Sequence, residues 1–309
     1  MRILFAYTPG FTEEMYREFE ALGLEPVFLP GPETDHYELD FSDIELVVCY
    51  RFFLFNEIER FTALKYIHTT SSGIDHMPLD YIRSHGITLC NARGVYSEPM
   101  AEYALGSVLR FYRGAELLRA QQAAHRWETC RELRELSGKQ VTILGAGSVG
   151  SECAKRFSVM GCSCVGLCRH PDANAPYYTA QLHVDRLDEV LPETDILLLT
   201  LPLTDETRGI MDARRFSLLK EGAVLVNIAR GPVADTAAMV EALASGRLSG
   251  AAVDVFDVEP LPEDSPLWDT ENLIITPHNS FIGEHNPRRM FALIYQDTVN
   301  WLNSKGGNA

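Results

Sequence analysis

The chain is short of cations, of long apolar runs and of any cysteine framework. Lys and Arg number 27 against 43 Asp and Glu, giving a net charge of −16. A surface this negative repels phosphate backbones and anionic lipid, so neither nucleic acid nor a membrane is expected as a partner. No apolar stretch approaches the ~18 residues of a membrane span. The apolar start, from Met1 to Tyr7, stops at Thr8-Pro9-Gly10; that is too short for a secretory leader and reads as a buried strand. The seven cysteines form no paired pattern, which points to a reducing, cytoplasmic setting. Cys162, Cys164 and Cys168 are close enough in sequence to suggest a metal, yet no second ligand cluster accompanies them. Along one strand they serve as small hydrophobes, and no metal is expected. Repeats of solenoid length and low-complexity tracts are also absent.

What is present is an ordinary globular composition, 46% hydrophobic over 309 residues. That suffices for two cores, because a single core stops growing near ~250–300 residues. Short apolar runs alternate with helix-period segments, the pattern of a parallel α/β fold. A first series of strands is expected at 3–7, 27–29, 46–50, 66–69 and 88–90. Thr12-Glu13-Glu14 opens a helix between the first two, and Gly23 closes it. A second series is expected at 141–144, 163–167, 196–199, 223–227, 250–255 and 273–275, each nearly continuous in apolar residues, as for strands covered on both faces. Between the series, Ala101, Ala104, Leu105, Val108, Leu109 and Tyr112 recur at helical spacing, predicting one long helix from Glu98 to about Gln122. A last helix is expected from about Arg288 to Leu302. The fold class is therefore α/β with two Rossmann-like or flavodoxin-like domains. One is discontinuous, 1–95 and 283–309; the other, 96–282, is inserted into it.

One motif stands out. Gly145-Ala146-Gly147-Ser148-Val149-Gly150 follows an apolar strand and opens a helix-period segment. Gly145 permits the tight turn, Gly147 removes a side chain where a pyrophosphate approaches, and Gly150 lets helix and strand pack closely. The free N–H groups near Ser148 and Val149 then meet the phosphates. At the end of the second strand of this unit, an NAD site calls for an acid on the ribose 2′-hydroxyl. Cys168 stands there, followed by Arg169 and His170. Losing the carboxylate removes repulsion against a 2′-phosphate, and Arg169 can pair with it. NADP(H) is thus the preferred cofactor, with NAD(H) the alternative; Asp172, a rival acid, lies past Pro171.

Three later strand ends carry polar residues. Arg230 follows Asn227-Ile228-Ala229, Glu259 follows Asp254-Val255-Phe256-Asp257-Val258, and His278 follows Thr276-Pro277. In an open α/β sheet the carboxyl ends of the strands border the ligand crevice, so these residues converge on the rim that holds the dinucleotide.

With the glycine turn, Ser71-Ser72-Gly73-Ile74-Asp75 and Leu201-Pro202-Leu203-Thr204, these segments resemble the D-isomer-specific 2-hydroxyacid dehydrogenase family over nearly the whole chain. Cys168-Arg169 resembles its glyoxylate/hydroxypyruvate reductase branch. The resemblance makes 1–95 with 283–309 the substrate domain and 96–282 the dinucleotide-binding domain. It implies reduction of a small 2-keto acid, with His278 giving the proton, a step suited to a side chain that exchanges protons near neutral pH. Glu259 would favour the imidazolium and fix its tautomer. Arg230 would hold the substrate carboxylate and polarise the keto oxygen. Ser72 and the N–H groups around Gly73 and Ile74 would take the other side of that carboxylate. By the same resemblance Asp254 would accept from the nicotinamide carboxamide and Thr207 would touch the pyrophosphate. Leu201, Pro202, Ile228, Ala229 and Ser280 would line the dinucleotide together with Arg230 and His278. A homodimer is implied as well.

Arg51, Phe52 and Phe53 either line the substrate pocket or pack an ordinary loop. Trp268 is expected in the core, His68, His76 and His285 as structural or surface residues, and Arg110, Arg113 and Arg119 on a solvated face or a dimer contact. Two other functions compete. One is an NAD-dependent D-2-hydroxyacid or phosphoglycerate dehydrogenase. The other is a dinucleotide-sensing protein without chemistry, against which the Arg, Glu and His trio argues.

Overall fold

In the computed structural model residues 1–306 are described, and they form two compact units. One comprises Met1–Tyr96 and the chain from Gly283 on; the other is Ser97–Ile282. The last three residues of the expected 283–309 segment lie outside the described residues. Among the described residues no helix is long and apolar enough to cross a membrane.

The first unit runs β1 (Arg2–Phe5), α1 (Glu13–Ala21), β2 (Glu25–Phe28), β3 (Ile44–Cys49), β4 (Tyr66–Thr69), α2 (Leu79–Ser84) and β5 (Thr88–Asn91). Its strands lie in the order β2-β1-β3-β4-β5, all parallel, which is the flavodoxin-like order. Helix α1 starts where the Thr12 hydroxyl accepts the Met15 N–H, with Glu13 and Glu14 at the positive end of the helix. The sheet is covered on both sides. One core gathers Phe52, Phe61 and Ile67, the other Phe19, Tyr66, Met290 and Trp301.

The second unit begins with α3 (Ser97–Tyr112) and α4 (Ala115–Ala123). It continues with β6 (Gln140–Leu144), α5 (Ser148–Val159), β7 (Ser163–Cys168), β8 (Ala180–His183), α6 (Leu187–Val190) and β9 (Ile196–Leu199). It closes with α7 (Ala213–Leu218), β10 (Ala223–Asn227), α8 (Thr236–Ala244), β11 (Leu248–Val253) and β12 (Leu273–Ile275). Helix α9 (Asn286–Gly306) belongs to the first unit. The seven strands are all parallel in the order β12-β11-β10-β9-β6-β7-β8. The chain starts the sheet at β6, builds outward to β8, then returns to β9 on the other side. That reversal is a topological switch point, and every carboxyl end lies on one edge. Helices α3 and α5 cover one face through Ala104, Val108, Tyr112, Cys153 and Phe157; α7 and α8 cover the other through Phe216, Met239 and Leu243.

The α/β class with two parallel sheets is as the alternating pattern implied. Four local expectations need correction. The helix expected over 98–122 is two helices, because Gly114 adopts φ +60° and a Cβ there would lie 2.9 Å from Leu133 Cδ2. The apolar period continues through that break, which conceals it. Strand β8 was not expected: Ala-Gln-Leu-His at the sheet edge is only half-buried and carries no apolar run. Cys162 precedes β7 rather than lying on it; burial pushes its thiol up to about 11 and that of Cys164 up to about 12. Trp268 is not core. It is 50% exposed, with its ring N–H donating to the Pro262 carbonyl at 2.8 Å.

Candidate active site

The glycine turn sits directly after β6, at the switch point. Gly145 has φ +111°, and a Cβ on it would meet the Leu201 nitrogen at 2.6 Å. A Cβ on Gly150 would stand 2.3 Å from the Gly145 carbonyl oxygen. Both positions therefore exclude any side chain. At Gly147 a Cβ would meet nothing within 4 Å, so that glycine borders open space. Gly147 caps α5 with no side-chain hydrogen bond, which leaves the N–H groups of the first turn, at Ser148 and Val149, facing that space. A cradle of this form fits the pyrophosphate of a dinucleotide.

The flanking loops are fixed by their own hydrogen bonds. Beside Leu201 and the exposed Pro202, the Thr207 hydroxyl donates to the Pro202 carbonyl at 2.7 Å and accepts from the Thr204 N–H at 2.7 Å. Thr207 thus closes the 202–207 turn. At the end of β7, Cys168 is half-buried against Gln181, while Arg169 and His170 are exposed. Asp172 spends its carboxylate on the Asn174 N–H, within its own turn. The Glu206 carboxyl is held below its usual range, first by the Thr204 hydroxyl and last by the charge of Arg169. A cation and an acid therefore share the rim beyond β7 and β9.

The polar strand ends lie on the same edge. His278 Nδ1 is 2.8 Å from Glu259 Oε2, and Glu259 Oε1 accepts the Phe256 N–H at 2.9 Å. Both side chains are part-exposed, 40% and 37%, so the ring is anchored on one side and open on the other. His278 holds φ +54°, and its N–H donates to the Asp254 carbonyl at 2.9 Å. The Asp254 carboxylate is buried and accepts from the Thr276 hydroxyl, the Asn279 N–H and the Ser280 N–H. Arg230 is half-buried, with Nη1 donating to the Ala229 carbonyl at 2.8 Å. Its turn is held by buried Asn227, whose amide oxygen accepts the Ala229 N–H and whose amide nitrogen donates to the Arg230 carbonyl. Ile228 and Ala229 are buried beneath it. A Cβ on Gly231 would stand 2.1 Å from the Phe256 carbonyl carbon, so this glycine lets the Arg230 turn close against the segment leading to Glu259. Asn227, Gly231, Thr276 and Tyr103, whose hydroxyl lies 2.8 Å from that of Thr276, are the residues sequence reasoning missed. The one available signal was the polar Asn and flexible Gly flanking Arg230.

In the first unit the segment after β4 is pinned through its carbonyls. The Ser71 hydroxyl donates to the Gly73 carbonyl at 2.6 Å, and the Asn91 amide donates to the Ser72 carbonyl at 2.7 Å. No acceptor for the N–H groups of Gly73 and Ile74 is found among the described residues. Phe52 is fully buried in the core, while Arg51 is exposed and lies over the Tyr50 ring at 5.2 Å. His76 Nε2 lies 3.4 Å from the Ser71 hydroxyl; His285 pairs with Glu284 at the surface. In the second unit Arg110 pairs with Glu116, and Arg113 donates to the Arg134 carbonyl.

Residues 105–280 match the model of the D-isomer specific 2-hydroxyacid dehydrogenase family, NAD binding domain. The chain is 33% identical over 252 residues to a glyoxylate reductase of Thermofilum pendens, spanning 76% of this chain and 71% of that protein. It is 34% identical over 223 residues to a D-3-phosphoglycerate dehydrogenase of Methanocaldococcus jannaschii, spanning 72% of this chain and 42% of that one. Among solved structures it resembles the NADPH-dependent glyoxylate/hydroxypyruvate reductase of Sinorhizobium meliloti in complex with NADP and sulfate. The TM-score is 0.79 at 26% identity, covering 98% of this chain and 95% of that one. The chain belongs to the D-isomer specific 2-hydroxyacid dehydrogenase family. It is an oxidoreductase acting on CH–OH donors, and its cofactor is a nicotinamide dinucleotide.

Proposed function

We propose that the protein reduces a small 2-keto acid of the glyoxylate/hydroxypyruvate kind to the D-2-hydroxy acid, with NADP(H) preferred over NAD(H). The observation that carries this reading is the His278–Glu259 hydrogen bond on the sheet edge that also bears the glycine turn. When bound, the reduced dinucleotide supplies the hydride. Glu259, facing Nδ1, keeps a proton there and stabilises the imidazolium, so that Nε2 gives its proton to the keto oxygen as negative charge develops. Arg230 pairs with the substrate carboxylate and polarises the carbonyl. Within the first unit, Ser72 and the N–H groups of Gly73 and Ile74 are neutral donors of the kind a carboxylate takes. Gly145, Gly147, Ser148, Val149 and Gly150 take the pyrophosphate. Leu201, Pro202, Thr207, Ile228, Ala229 and Ser280 line the rest of the dinucleotide, while Asp254, fully buried with its carboxylate taken by three donors, supports that rim from behind. Cys168, Arg169 and His170 receive a 2′-phosphate.

One observation favours the NAD(H)-dependent alternative. Glu206 lies within reach of the Arg169 charge, and a carboxylate there opposes a second phosphate. We further propose a homodimer in the cytoplasm. Trp127 is fully exposed, and Leu117 and Leu118 on α4 are about half-exposed, apolar surface that a second copy could cover; the seven free thiols suit a reducing compartment.

Initial rates with glyoxylate, hydroxypyruvate, pyruvate and phosphohydroxypyruvate, each against NADPH and NADH, test the reading. NADPH is expected to exceed NADH by about tenfold or more in kcat/KM, the scale of one charge-assisted hydrogen bond. Preference for NADH sinks the role of Arg169. Failure of every acid with both cofactors sinks the enzymatic reading.

A further inference from the structure

All the hydrogen bonds found for the buried Asp254 carboxylate go to the segment that carries His278. Oδ1 accepts from the Thr276 hydroxyl at 2.5 Å and from the Asn279 N–H at 2.8 Å, and Oδ2 accepts from the Ser280 N–H at 2.9 Å. The Thr276 hydroxyl has a single proton and gives it to Asp254. Toward the Tyr103 hydroxyl, 2.8 Å away on α3, it can therefore only accept. Tyr103 is well suited to donate, because burial raises its phenol above the ordinary value and keeps it protonated. A directed chain thus runs from Tyr103 through Thr276 to Asp254. It ends on the carboxylate that also accepts the two backbone N–H groups immediately after His278. That backbone needs holding: a left-handed φ of +54° on a non-glycine residue persists only where its surroundings determine it.

We propose that Tyr103 and Thr276 are positioning residues for the proton step, setting the His278 turn through Asp254 and with it the His278–Glu259 hydrogen bond. The inference rests on reading His278 as the proton donor. Neither residue touches substrate; each acts through the turn.

The test compares Thr276→Val, Thr276→Ser, Tyr103→Phe and, as reference, His278→Gln. Two readouts are taken: kcat and KM with hydroxypyruvate, and the 15N shifts of the His278 ring in the protein without ligands. The ring signals are assigned by their loss in His278→Gln. Losing one buried hydrogen bond predicts a fall in kcat of about tenfold for Thr276→Val and about threefold for Tyr103→Phe, with KM moving less than about twofold. The ring shifts move in both variants, and Thr276→Ser restores shifts and kcat. Wild-type kcat and ring shifts in Thr276→Val overturn the proposal. So does a Thr276→Ser variant as impaired as Thr276→Val, since the methyl rather than the hydroxyl would then matter. If Thr276→Val does not fold, Tyr103→Phe decides by the same criteria. Wild-type kcat in His278→Gln overturns the proton-donor reading instead, and ring shifts that still move in Thr276→Val would leave the positioning role standing.

Discussion

Two histidine–carboxylate pairs link separate segments of the chain, one in each unit and across 19 and 229 residues of sequence. In the second unit His278 Nδ1 meets Glu259 at 2.8 Å; in the first, His68 Nε2 meets Asp297 at 3.2 Å. The chemistry is nearly the same and the setting is not. His278 is 40% exposed at the end of a parallel strand, whereas the His68 side chain is fully buried on β4, with Nδ1 against the Thr69 carbonyl. An accessible ring can hand a proton to something that arrives. A buried one can only tie its own structure together, here β4 to α9. Pair geometry does not make a site; an open face on the right sheet edge does.

The sharpest way to break the comparison is to delete each ring in turn. His278→Gln is expected to lower kcat about 100- to 10,000-fold, the range of a lost general acid, while the urea midpoint stays at the wild-type value. His68→Gln should leave kcat within about twofold of wild type and cost ~1–3 kcal/mol of stability, as a disturbed buried polar pair does. Steady-state kinetics and urea unfolding of both variants check this. Equal kinetic damage from the two substitutions would erase the distinction.

How much of this could be read beforehand depends on the range of the forces involved. The glycine turn was readable because its requirements are local: φ +111° at Gly145, and contact of Gly150 with the Gly145 carbonyl only five residues away. The strand ends were readable because buried parallel strands are nearly continuous apolar runs, and the polar residues that end them stand out. Strand β8 was not, since an edge strand half-open to water needs no such run. The break at Gly114 was hidden because Leu117 and Leu118 continue the helical period without being buried. Hardest of all were contacts across long separations. Tyr103 and Thr276 are 173 residues apart, His68 and Asp297 229, and no pattern in sequence ties such residues before the sheet brings them together.

A pH titration of stability sharpens the same contrast. Burial, opposed by the Asp297 charge, lowers the His68 pKa below the ordinary histidine value. The unfolded chain therefore binds a proton that the folded one refuses. Below the ordinary histidine pKa the unfolded state is favoured, so this contribution is complete above that value and is lost as pH falls through it. The urea midpoint of the wild type should drop between about pH 7 and pH 5, and His68→Gln should flatten that part of the curve. A drop just as steep in His68→Gln would assign the titration to another group.

The smallest effect concerns the rim where the Arg169 charge acts on Glu206. Both are exposed, so their mutual interaction is screened and weak. Their roles toward a 2′-phosphate are nonetheless opposite in sign, since the guanidinium attracts it and the carboxylate repels it. Glu206→Gln removes the repulsion and leaves Arg169 free to pair. The dissociation constant for NADPH should fall by about threefold, the scale of one exposed charge pair, with NADH unchanged. Arg169→Ala should raise the NADPH value and again leave NADH alone. Fluorescence titration of both cofactors against the two variants reads this directly, with an added salt series. Because the charges are exposed, the Glu206 effect should shrink as ionic strength rises. A change of equal size for NADH would mean that Glu206 acts on the shared part of the dinucleotide, and the Arg169 side of the rim would then have no say in cofactor choice.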